Sequence, residues 1–153
     1  MAGDSLHILR KVTRHFSQIQ RKTWACCTPA SESQCLVLTE LYPDLVLSIR
    51  EIAERIGSDA PWVSRVVENL RKSGWAEREQ DPEDRRQVRV QLTLEGQEQA
   101  MHLQKALNDQ AEEIFIRIPQ DQRQMVVTAL GWLAKALDQE CEPVCCSKEE
   151  EFS

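Results

Sequence analysis

Two sets of side chains in this 153-residue chain have the types and spacing to do chemistry: six cysteines and a cluster of arginines. Cys26-Cys27 and Cys145-Cys146 are adjacent pairs, with Cys35 and Cys141 close by in sequence. Adjacent cysteines close only into a strained disulfide, so such pairs suit capture of a thiophilic ion better than a stable bridge. Cys141-x₃-Cys145-Cys146 can bring two or three thiolates to one soft ion such as As(III), Cu(I), Zn(II), Cd(II) or Hg(II). Cys26, Cys27 or a partner subunit could complete that ligand set. The competing readings are inert tail thiols and thiols that sense oxidants. Cys35 stands in the apolar run "CLVL" and reads as core, or as lining of a ligand pocket beside Trp24, which ends the first helix next to Cys26 and Cys27.

The second set is Arg85 and Arg86 in "QDPEDRRQVRVQLTLEG", residues 80–96. A short polar turn tipped with paired arginines is a cationic probe, yet the chain carries a net charge of −6. That charge is uneven. Residues 1–24 balance at +4, 25–47 at −3, 48–90 at zero and 91–153 at −7. Electrostatic contact is local, so global acidity does not exclude an anionic partner such as DNA. His7, His15 and His102 lack metal-ligand spacing and read as surface or interface residues. The sequence contains no nucleophile elbow, P-loop or dinucleotide fingerprint, and an enzyme is not expected.

The elements that would position these residues follow from periodicity. "SLHILRKVTRHFSQIQRK" spaces Leu9, Val12, Phe16 and Ile19 as an amphipathic helix. Ser31 or Ser33 caps a second helix, which carries Leu36, Val37, Leu38 and Leu41 and stops before Pro43. Ser48 and Glu51 form a capping box for a two-turn helix that Gly57 ends. Asp59 caps the next helix, with Pro61 in its first turn and Val63, Val66, Val67 and Leu70 as its buried stripe. "WAERE" and "QVRVQLT" alternate as half-buried strands joined by the arginine turn. Thr93 caps a long helix expected from about Leu94 to Ile118, and Pro119 precedes a last helix with one apolar side. Trp24, Trp75 and Trp132 are expected to pack.

Two short helices, a tight turn and a β-hairpin make a winged helix-turn-helix. In "VSRVVENLRKSGWAER", "DPEDRR" and "VQLTLEG", in that order and spacing, the chain resembles the MarR family of bacterial and archaeal transcriptional regulators. The resemblance covers nearly the whole chain to about residue 140. It implies a homodimer knitted by the terminal helices, on a pseudo-palindromic operator in double-stranded DNA. It implies that Asp84 braces the wing and that Arg86 enters the minor groove, a position suited to reading groove width. The residues themselves put Ala60, Pro61, Trp62, Ser64 and Arg65 near the exposed end of the recognition helix, with Ser48 placed to donate to a phosphate. Trp62 departs from the family pattern, which usually shows a small hydroxyl residue there, and Pro61 beside it is also unusual.

The expected class is mostly α with a small β-hairpin wing. Residues 1–30 would form the N-terminal dimerisation helix and junction, and 31–94 the DNA-binding domain. Residues 95–140 would form C-terminal dimerisation helices, and 141–153 an acidic cysteine-bearing tail. The expected function is a cytoplasmic repressor that releases DNA when thiols bind a soft metal or metalloid such as As(III). Alternatives are the same repressor sensing oxidants or a small aromatic ligand near Trp24, and a thiol-rich metal-binding protein without specific DNA binding. No apolar stretch is long enough for a signal peptide or a membrane span.

Overall fold

A computed structural model describes residues 2–43, 45–82, 84 and 86–138. The described residues form two compact units, one ending at residue 111 and the other beginning at residue 112. The first helix, α1, runs over Ala2–Cys27, longer at both ends than its apolar periodicity alone predicts. Ser31 is the cap of α2 (Glu32–Leu41), and it exchanges hydrogen bonds with Gln34 in a full capping box. Ser48 caps α3 (Ile49–Ile56) in the same way through Glu51, and Gly57 ends that helix at φ 65°, which a residue without Cβ adopts at no steric cost. Asp59 accepts the Trp62 N–H at 2.7 Å and so caps α4 (Ala60–Lys72).

The sheet has three strands, not the two expected. Strand β1 is only Leu47–Ser48, β2 is Ala76–Gln80, β3 is Val88–Leu92, and the order is β1-β3-β2, all antiparallel. A two-residue strand shows no alternation to read. It forms because Leu47 pairs with Val90 and Ser48 with Arg89 across a strand whose other edge β2 already occupies.

The core gathers Leu38, Leu41, Ile52, Val63, Val67, Leu70 and Val90, all fully buried, under the helix-turn-helix. Val63, Val66, Val67 and Leu70 are the buried face of α4, as their spacing predicts. Burying side chains of this size contributes about 1.5–3 kcal/mol each. Helix α5 (Leu94–Ile116) starts on the Thr93 hydroxyl, which accepts the Gly96 N–H at 3.1 Å. It ends two residues earlier than the position expected from Pro119.

In the second unit, α6 (Gln120–Asp138) buries no residue within the single chain. Trp132, expected to pack, is 70% exposed. Arg123 ties the turn before α6 by donating to the carbonyls of Ile116 and Ile118, at 2.9 Å each. Among the described residues no helix is long and apolar enough to cross a membrane.

Candidate nucleic-acid interface

The capped ends of α3 and α4 and the turn between β2 and β3 converge on one surface. At the start of α3 the Ser48 N–H donates to Glu51 Oε2 at 2.7 Å, and the Glu51 N–H donates to Ser48 Oγ at 3.2 Å. Those bonds hold the Glu51 carboxyl below the usual carboxylate range. The Ser48 side chain is thus largely committed to its own helix. At the start of α4, Ala60, Pro61 and Arg65 are exposed. Trp62 is not: it is half-buried and packs against the core. A side chain this large gains more from apolar burial than from solvent at a helix end. Ser64 is also half-buried, with its carbonyl and hydroxyl facing Arg78 Nη2 at 2.6 and 3.3 Å.

The wing turn is braced by two aspartates. Asp84 accepts the Arg86 N–H at 3.0 Å and the Gln87 amide at 3.3 Å. Asp81, buried, accepts the Asp84 N–H at 3.2 Å and pairs with Arg89 of β3 at 2.5 Å. Arg86 is exposed, and Arg85 lies outside the described residues. Ser48, Ile49, Arg50, Ala60, Arg86, Gln87 and Val88 line a cleft of about 320 Å³. Three of the residues singled out in the sequence, Ser48, Ala60 and Arg86, therefore share one concavity with Arg50. A cationic rim around two helix N-termini is suited to a polyanion, because free N–H groups and arginines both favour phosphate.

Sequence reasoning missed Arg50, Arg78, Asp81 and Arg89. Arg78 and Arg89 were legible only as members of alternating strands, and their partners are 14 and 8 residues away. Glu68 is held by Arg71 at 2.8 Å and Arg78 at 3.6 Å.

The cysteines divide. Cys26 and Cys27 are exposed on the last turn of α1, whereas Cys35 is buried. Burial pushes the Cys35 thiol up to about 11. Cys141, Cys145 and Cys146 lie outside the described residues. Among the described residues no three His, Cys, Asp or Glu side chains come together as a metal-binding group. Trp24 is 3% exposed, and its buried indole N–H has no acceptor.

Fold and cleft together define a winged helix-turn-helix protein. The MarR family model matches residues 30–88, from the turn before α2 to the first residue of β3. The chain is 27% identical over 105 residues to the uncharacterised HTH-type transcriptional regulator YdgJ of Bacillus subtilis. That match covers 69% of this chain and 64% of the relative, just under two thirds of its length. In fold it is similar to a MarR family protein of Bacillus stearothermophilus, with TM-score 0.81 and 14% identity over 90% of this chain and 96% of that one. It is also similar to FabT of Streptococcus pneumoniae, solved in complex with DNA, with TM-score 0.75 and 16% identity over 90% and 98%.

Proposed function

We propose that the chain is a dimeric repressor that binds a pseudo-palindromic operator through α4 and the wing and leaves it when an effector binds. The observation that carries this reading is the cleft that joins Ser48, Arg50, Ala60 and Arg86 at the N-termini of α3 and α4. In this reading Ala60, Pro61 and Arg65 meet base edges in the major groove, and Arg86, with Arg85 beside it in sequence, enters the minor groove. Ser48 and Asp84 hold these elements in place, and Trp62 and Ser64 support α4 from its inner side. Residues 31–94 bind DNA, while residues 1–30 and 95–140 dimerise.

For the effector we propose soft-ion capture, with As(III) the leading ion. Its support is the exposed adjacent pair Cys26-Cys27, together with Cys141-x₃-Cys145-Cys146 in sequence. A second reading, a small aromatic ligand near Trp24, is favoured by the buried indole N–H that lacks an acceptor.

Fluorescence anisotropy of the reduced protein on a labelled duplex from upstream of its own gene tests both parts. Specific binding that falls with stoichiometric arsenite is the expected result. Replacing Cys26, Cys27, Cys145 and Cys146 by serine should abolish the arsenite response and leave binding intact. Arg86→Ala should weaken binding and reduce the salt slope by about two units, close to one for the phosphate-neutralising charge lost at each of the two half-sites. Unchanged affinity and slope in Arg86→Ala would remove the wing from the interface.

A further inference from the structure

At residue 78 the wing grips α4 with a charge. Along β2, Ala76 is buried and Glu77 and Glu79 are exposed, so Arg78 occupies the face that looks toward the core. Its register partner on β3 is Val90, which is fully buried. An apolar side chain would satisfy that position for packing alone. The guanidinium instead reaches α4, where Nη2 donates to the Ser64 carbonyl at 2.6 Å and lies 3.3 Å from the Ser64 hydroxyl. Nη1 stands 3.6 Å from Glu68 Oε2, and Arg71 holds that carboxylate from the helix side at 2.8 Å. Ser64 and Glu68 are four residues apart and so lie on one side of α4. A half-buried guanidinium with several directional bonds fixes both the rotation and the height of the helix it touches, which apolar contacts do not. Its Nε–H is buried without an acceptor, a cost that packing alone does not require.

We infer that Arg78 is a positioning residue: it locks the rotation of α4 to the wing, so that Arg65 and Arg86 are presented to DNA as one unit. This inference rests on the DNA-binding reading, and its test has an arm free of DNA. Hydrogen exchange on Arg78→Met should show faster exchange of α4 amides, with α2 keeping its protection. Arg78→Lys retains stem and charge but not the fork of donors, and should show an intermediate effect.

On DNA, anisotropy across a salt series should show Arg78→Met losing about tenfold in affinity for the specific duplex. Binding to a scrambled duplex and the salt slope should not change, and Arg78→Lys should recover part of the loss. Arg86→Ala, by contrast, should lower the slope on both duplexes. Equal losses on both duplexes with a lower slope would make Arg78 a phosphate contact and overturn the inference. Unchanged α4 exchange in both variants would overturn it too. A wild-type protein that bound native and scrambled duplexes equally would overturn the regulator reading, and the exchange data would still judge the lock by itself.

Discussion

Burial keeps the Cys35 thiol protonated, with its pKa pushed up to about 11 from 9.0, while Cys26 and Cys27 stand exposed at the end of α1. Because the thiolate is the nucleophile, iodoacetamide should label Cys26 and Cys27 in the native protein and Cys35 only after unfolding. Peptide mass spectrometry reads this directly, and native labelling of Cys35 would contradict its burial. The raised pKa also carries a sign. The fold favours the neutral thiol, so its contribution to stability is complete below pH 9.0 and is lost as pH rises through about 11. Cys35→Ala should flatten the urea midpoint against pH over that window. The run "CLVL" made this burial legible, since an apolar helix face predicts it. The environment of Trp24 was legible only as packing, because an unpartnered indole N–H depends on what the fold places around it.

At the scale of elements, the start of α5 is held to the end of α4 by a compact set of contacts. Thr93 donates its hydroxyl to the Gly74 carbonyl at 2.6 Å, its N–H donates to the Trp75 carbonyl at 3.1 Å, and its Oγ1 receives the Gly96 N–H. A Cβ on Gly96 would stand 1.8 Å from the Trp75 carbonyl oxygen, so this backbone approach admits only glycine. Gly96→Ala should therefore destabilise the chain by roughly 2–3 kcal/mol, in the range of an overpacked site. A urea unfolding curve that superimposed on the wild type would refute the close approach. The Thr93 cap could be read from "TLEG" because capping is local. The need for Gly96 could not, since Trp75 is 21 positions away in sequence. The same limit hid β1, whose two residues become a strand only by pairing with β3.

For the molecule as a whole, both units leave apolar side chains in solvent. In the first unit α1 exposes Leu6, Ile8, Val12 and Phe16, the last at 51%. In the second, α6 exposes Met125, Val127, Leu130, Leu137 and Trp132. Apolar rows of this length on a single chain mark association surfaces. Sedimentation equilibrium should return a dimer, and Phe16→Glu or Trp132→Glu should shift it toward monomer with a matching loss of duplex affinity. A monomeric wild type would leave these faces without a role and undo the two-half-site geometry.

The amino-acid sequence by itself determined the helix-turn-helix, its caps at Ser48 and Asp59, the buried stripe of α4 and the arginine-tipped wing. All of these arise from interactions within a few residues, where periodicity and capping chemistry act. Tertiary structure alone decided that Trp62 packs inward, that Glu68 belongs to Arg71 and Arg78, and that Asp81 pairs with Arg89. Those choices depend on which side chains the sheet and helices bring together across long sequence separations. There the free energy of burying a group or pairing a charge outweighs any local preference.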